Sequence, residues 1–356
     1  MQFFLAGFLK LTHTASGRVV NIHYSEFDMP KSFAKSLFYT VGCIAALAQS
    51  PALAQSKDNQ LGIVTGSQTG TYIKFGKDLR KLLIIKRKKI NLKVHTSVGS
   101  LENVYDVYKS PKAQLGIVQS DVLAFIETRD DADMQKIAKK VRLVHPLYNE
   151  EVHILANSSV ESFDDLDGRR VAIGLGGSGT NLTATTLLSL GGVGVEPVHT
   201  GGQDALDALK AGKIDAMFYV AGLPVKLFSD QVSKADGLKF LSIENEGVTS
   251  VYNVNSTITK DTYDFVTDDV NTVAVKAVLV TYDYQKGNCG LVGDVGNAVI
   301  DEIDWLRNNG HPKWKEVDLS YQLAGWTQYE CVKKAAKKKK PESKEFDKFL
   351  EKVKKQ

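Results

Sequence analysis

The chain of 356 residues carries 45 Lys+Arg against 41 Asp+Glu, is 43% hydrophobic and 24% charged, and holds only three cysteines. That mixture excludes a disordered, collagen-like or disulfide-dense protein, and the length suffices for two domains with cores of their own. The formal charge of +4 gathers at one end, because residues 332 to 356 hold 11 lysines and 4 acids. The rest of the secreted chain is slightly acidic, so no nucleic-acid partner is expected.

Residues 29–54 run Met29, Lys31, Lys35, an apolar stretch from Ser36 to Ala48, then Ala52-Leu53-Ala54. This is the order of a secretory signal peptide, and cleavage is expected after Ala54, into the periplasm. The apolar run falls short of the roughly 20 residues that span a bilayer. Residues 1–28 read as upstream sequence ahead of a start at Met29. Cys43 invites a lipoprotein reading, but Thr40 stands where that signal has Leu. Past Ala54 only Cys289 and Cys331 remain. In an oxidising compartment they either pair, which is the expectation, or stay as two buried thiols.

The secreted chain alternates short β-branched runs with helical stretches. Strands are expected at 60–65, 91–96 and 113–118, with helices at 72–86 and 100–109 between them. Two strand-like segments follow, 141–147 and 151–156, on either side of Tyr148-Asn149-Glu150. A second series then begins: a short helix at 162–166, strands at 170–173, 196–199 and 214–220, and helices at 180–190 and 203–211. The plainest strand is 272–281 (TVAVKAVLVT), with a helix at 297–308 beyond it. The expected fold class is α/β, with two hinged lobes and a ligand cleft: 55–150 begins lobe 1, 151–250 forms lobe 2, 251–330 returns to lobe 1, and 331–356 is a Lys-rich tail. The tail has Phe346, Phe349, Leu350 and Val353 at helical spacing and reads as a solvated amphipathic helix.

Ligands of open α/β sheets sit beyond the carboxyl ends of strands. There the chain places Thr65-Gly66-Ser67-Gln68-Thr69-Gly70-Thr71-Tyr72 and, after a strand of the second series, Gly174-Leu175-Gly176-Gly177-Ser178-Gly179-Thr180. Glycines admit close approach, and the first amides of a helix favour an anion. Neither loop has the Lys-Ser/Thr of a phosphate loop, and each alone also reads as a plain turn. Gln119 can reach the cleft, while Asp121 reads as either a lining group or a helix cap. Tyr148, Glu150 and His153 sit at the crossover, as ligand contacts or as structural polar groups. Gly222 and Pro224 follow a strand of the second lobe, where Pro224 is expected to start a helix. No His-Glu-x-x-His or Gly-x-Ser-x-Gly occurs, so neither catalysis nor a metal or other cofactor is expected.

Thr65 to Gly76, Ser97-Val-Gly-Ser-Leu-Glu-Asn103, Leu115-Gly-Ile-Val-Gln-Ser-Asp121, Leu147 to His153, Gly174 to Thr180 and Gly212-Lys-Ile-Asp-Ala-Met-Phe218 follow one another in an order that resembles the TAXI family. These are the periplasmic solute receptors of tripartite ATP-independent periplasmic (TRAP) transporters, and the resemblance spans residues 58 to 330. It implies a class II-like binding-protein fold, probing by hinge closure for a small organic acid or acidic amino acid, glutamate-like or 2-oxoglutarate-like, and delivery to an ion-coupled permease. It further implies a ligand set of Thr65, Gly66, Ser67, Thr69, Tyr72, Gln119 and Asp121 in lobe 1, with Ser178, Gly179, Thr180, Gly222 and Pro224 in lobe 2. Ser67 and Gln68 depart from the family's usual Thr-Gly-Gly start, and Asn149 stands where proline is common. A monomer is expected. Two other functions compete with the receptor: a ligand-free surface or immunogenic interaction protein, and a periplasmic α/β enzyme.

Overall fold

The apolar runs pair into one mixed sheet of ten strands. The computed structural model describes residues 59–332 apart from Thr69, Arg87, Thr128, residues 253–254 and residues 285–288. The signal-peptide segment, residues 1–28, the basic tail from residue 333 and the expected ligand residue Thr69 lie outside the described residues. Lobe 1 opens with β1 (Gln60–Val64), α1 (Thr71–Ile85), β2 (Asn91–His95), α2 (Ser100–Lys109) and β3 (Leu115–Gln119). In α1 the buried residues Tyr72, Phe75, Leu79, Leu82 and Leu83 recur at helical spacing, which seats one face on the sheet. Two helices follow, α3 (Val122–Glu127) and α4 (Ala132–Lys140). The Asp131 side chain caps α4 by accepting from the amides of Asp133 and Met134.

Two long strands carry the chain between the lobes. The segments expected as two strands form one, β4 (Val141–Ala156), and the 272–281 run is β10 (Val270–Tyr282). They lie antiparallel along most of their length, with the register shifted between Lys276 and Val278. Polar Tyr148-Asn149-Glu150 did not break β4, because β10 pairs with Asn149 and Glu150 and, past the register shift beside Tyr148, with Pro146, and the ladder outweighs local β propensity.

Lobe 2 contains β5 (Arg170–Ala172), α5 (Gly179–Gly191), β6 (Glu196–Val198), α6 (Gly202–Lys210), β7 (Ala216–Ala221), α7 (Lys226–Gln231), β8 (Lys239–Phe240), α8 (Glu246–Thr249) and β9 (Asn255–Ile258). The strand order is β2-β1-β3-β10-β4-β7-β5-β6, with β8 beside β4 and β9 beside β10. Val251, Tyr252, Ile258, Tyr263 and Phe265, expected on the return to lobe 1, pack instead in the cores of lobe 2. The return is made by β10, then α9 (Cys289–Asp301), α10 (Ile303–Asn309) and a 3-10 turn, Pro312–Glu316. That last segment docks Trp314 on Phe75 with ring centroids 4.2 Å apart. Cys289 and Cys331 are bridged, with Cα atoms 5.4 Å apart. Among the described residues no helix is long and apolar enough to cross a membrane.

Candidate functional site

β1 and β3 are parallel, as are β5 and β7, and β4 runs antiparallel to β7. The carboxyl ends of β1, β3, β5 and β7 therefore all face the junction where β4 and β10 cross. On the lobe 1 side, the Thr65 hydroxyl donates to the His95 carbonyl at 2.7 Å, and the Thr65 carbonyl accepts from Ser97 and Asn103. Its hydroxyl hydrogen is therefore committed to holding the loop. Gly66 is buried behind it, while Ser67 and Gln68 are exposed. Tyr72, in the first turn of α1, sends its hydroxyl to the Glu150 carboxylate at 2.5 Å.

The two lobes meet through these loops. The first amides of α2, at Leu101 and Glu102, donate to the Gly177 carbonyl at 3.2 and 3.4 Å, as unpaired helix-start amides do. The Gln119 amide N–H donates to Ser100 Oγ at 3.0 Å, and its side-chain oxygen lies 3.5 Å from both Ser100 Oγ and Thr183 Oγ1. Gly179 sits against that side chain: a Cβ there would lie 1.8 Å from Gln119 Oε1 and 2.7 Å from Ser100 Oγ. Asp121 does not cap α3 with its side chain. Its Oδ2 reaches lobe 2, accepting from the hydroxyls of Thr183 at 2.8 Å and Tyr252 at 3.0 Å.

In lobe 2 the Ser178 hydroxyl caps α5 by accepting from the Asn181 amide at 3.1 Å. Thr180 Oγ1 accepts from the Val220 amide at 3.2 Å, tying the loop to β7. In both cases the oxygen is the acceptor, so the hydroxyl hydrogen stays available to a ligand. Thr65, whose hydrogen is committed, lacks that freedom.

The crossover strand supplies carboxyls. Glu150 is buried, and burial pushes it up to about 8 against the opposing hydrogen bond from Tyr72. Burial likewise pushes Asp121 up to about 6, against the hydrogen bonds from Thr183 and Tyr252. Glu151 accepts from the Leu223 amide at 3.0 Å and from Lys313 Nζ at 3.5 Å. Burial still raises its pKa, with Lys313 opposing. Tyr148 lies under Gly222, where a Cβ would come within 3.0 Å of its ring and 2.8 Å of Lys313 Cε, so only glycine lets β7 close on that ring. Pro224 is exposed, follows a cis Leu223–Pro224 peptide and precedes α7 without starting it. His153 faces Tyr263, Phe228 and Phe240 in the lobe 2 core, where burial holds it down to about 4.

These shifts set a pH dependence for the ligand-free protein. A carboxyl raised in the fold gives stability that is complete below its unfolded value and lost as pH rises through its folded value. Glu150 therefore loses stability between about 4.5 and 8, and Asp121 between about 4 and 6. His145 and His153, both held down to about 4, act oppositely: stability is lost as pH falls from about 6.5 toward 4. Below pH 6.5 the two sets offset each other. Between 6.5 and 8 Glu150 outweighs the remaining titration of the two histidines, and stability is expected to fall by about 1 kcal/mol. Urea unfolding at pH 6.5 and 8 checks this, and Glu150→Gln should flatten the difference.

Sequence reasoning missed Ser100, Asn103, Thr183 and Tyr252. Thr183 was within reach, since it lies one turn past Thr180 on the helix face that carries it. Tyr252 sits in irregular chain after α8 and is brought to Asp121 only by the tertiary fold.

Two α/β lobes threaded by a pair of long strands, with strand ends from both lobes turned onto one junction, make the architecture of a bilobed periplasmic binding protein. The chain belongs to the NMT1-like family, whose model matches residues 63–325. Among solved structures it is similar to a protein of Bordetella bronchiseptica RB50, at 14% identity over 73% of this chain and 76% of that one, with a TM-score of 0.49. It is also similar to an ArgBP mutant from T. maritima, at 13% identity, 70% and 91% coverage, and a TM-score of 0.44. An ancestral arginine-binding protein bound to arginine gives 16% identity, 72% and 95% coverage, and 0.43.

Proposed function

We propose that the protein is a periplasmic solute receptor that captures a small organic acid or acidic amino acid between its lobes. Cleaved after Ala54, it hands the ligand to the membrane permease of a TRAP transporter, as its resemblance to the TAXI receptors implies. The observation that carries this reading is the junction itself. Ser178 and Thr180, with hydroxyl hydrogens to give, stand on one lobe opposite Gln119, Ser100 and the start of α2 on the other. Polar bonds between these loops, with little apolar packing beside them beyond Ala124 and Leu182, can open and re-form around a solute at a cost that the solute's own contacts repay. The role is binding without turnover.

The test is thermal unfolding of protein that has been unfolded and refolded to strip any carried ligand, against glutamate, glutamine, 2-oxoglutarate, succinate, pyruvate and neutral amino acids. A ligand at a hundred times its Kd adds about 2.7 kcal/mol, seen as a higher Tm. A flat panel over a cooperative transition would instead favour an interaction protein without a ligand. In the double variant Ser178→Ala, Thr180→Ala, affinity for the ligand that raises Tm is expected to fall by about 10- to 100-fold, the loss of hydrogen bonds to a charged group. The missing cap and the lost bond to the Val220 amide together cost the fold about 2 kcal/mol. Calorimetric titration with urea unfolding separates the two effects, and wild-type affinity in the variant would remove the lobe 2 anion site.

A further inference from the structure

The groups at the junction divide by chemistry. Ser178 and Thr180 suit an anion. Asp121, Glu150 and Tyr148 do not: two are buried carboxyls, and all three side chains are almost wholly out of solvent, with Asp121 6% and Tyr148 0% exposed. Charge compensation is uneven around them. Glu151, the neighbouring acid, has Lys313 within 3.5 Å. Among the described residues neither Asp121 nor Glu150 forms an ion pair; the side chains that meet them are hydroxyls, from Thr183 and Tyr252 or from Tyr72, with the backbone at Asp121 and the more remote charge of Lys313 at Glu150 adding to these.

Moreover, the partners stop short of completing the set. Asp121 Oδ2 takes both of its hydroxyls, leaving Oδ1 buried without a hydrogen-bond partner. The Tyr148 hydroxyl is buried without one as well. A carboxylate oxygen so placed carries a desolvation cost that folded proteins rarely leave uncompensated. An ammonium group offers three donors and a positive charge, which satisfies both the bare oxygen and the uncompensated acids. A second carboxylate or a keto oxygen in that place would add like charge or another acceptor.

We propose that Asp121, with Glu150 and Tyr148 beside it, receives a protonated amine of the ligand, so that the solute is an amino acid and not the corresponding keto acid or plain dicarboxylate. This rests on the receptor reading and narrows it. The two loops then share one zwitterion: the Ser178 and Thr180 hydroxyls take its carboxylate, and the lobe 1 acids take its nitrogen.

Matched pairs that differ only at the nitrogen test it: L-glutamate against 2-oxoglutarate, L-alanine against pyruvate, and L-leucine against 4-methyl-2-oxopentanoate. They are titrated calorimetrically into stripped and refolded wild-type protein. The amino acid of at least one pair is expected to bind about 100-fold or more tightly than its keto acid, the discrimination a site built for a specific polar group attains. Because burial holds Glu150 near 8 and Asp121 near 6 before binding, an incoming ammonium should release protons at pH 7. The binding heat then varies with the ionisation enthalpy of the buffer in the sense of release. In Asp121→Asn the amino acid is expected to lose about 10-fold or more in affinity and the keto acid little. Equal affinity within every binding pair, or proton uptake with the amino acid, would overturn the amine assignment and leave the receptor reading standing. Binding by no member of any pair would count against both. The wild-type comparison decides the question even where the variant fails to fold.

Discussion

Replacing Lys313 with methionine is expected to destabilise the protein by about 3–5 kcal/mol, the usual cost of stranding one partner of a buried ion pair. The ammonium lies 3.5 Å from Glu151, and the two side chains are 4% and 5% exposed. Its other partner, Glu316 at 2.7 Å, is half in solvent and contributes little. Without the lysine, Glu151 keeps the Leu223 amide at 3.0 Å but must take up a proton or remain a buried unpaired charge. Lys313→Met with Glu151→Gln should recover much of the loss, because no charge is then left uncompensated. Urea unfolding of both single variants and the double variant measures the coupling directly. A loss below about 1 kcal/mol in Lys313→Met would show that the pair does not hold the C-terminal turn to the crossover strand.

Replacing Cys289 and Cys331 with serine is expected to cost about 4 kcal/mol, since the bridge spans a sequence separation of 42 and restricts the unfolded chain accordingly. The segment that it anchors is also tied to β4, where Leu143 exchanges backbone hydrogen bonds of 2.8 Å with Thr327 and Tyr329. The native contacts therefore remain, and the loss should come mainly through the unfolded state. Reductant should lower the wild-type midpoint to that of the double variant and leave the variant unmoved. A reductant-insensitive wild type would mean that the bridge contributes nothing to stability in solution.

The alternation of β-branched runs and helical stretches made most elements legible, because each strand of the first and second series carries its own apolar run. Two places escaped. Helix α4 has few apolar residues and buries little beyond Ile137; its signal was the Asp131 cap, not a hydrophobic stripe. The continuity of β4 through Tyr148-Asn149-Glu150 depends on β10, more than a hundred residues on, and no local pattern announces it. Within the candidate site, the sequence pointed to loops that the fold brings to the junction but could not assign hydroxyl roles. Thr65 and Ser178 read alike as loop hydroxyls, yet one donates to a carbonyl and the other accepts from an amide. That difference arises from the neighbouring strand and helix. The resemblance to a carboxylate receptor likewise gave no hint that Asp121 and Glu150 would form no ion pair among the described residues, because charge compensation is a property of the assembled fold.

The central claim is that the loops joining the two lobes enclose the ligand. Hydrogen exchange read by mass spectrometry, on refolded protein with and without the solute that raises Tm, tests it most directly. The account predicts slowed exchange at Gly174–Thr180, at Gly99–Asn103 and around Gln119–Asp121, with the outer helices of both lobes little changed. Protection confined to segments away from these loops would contradict it.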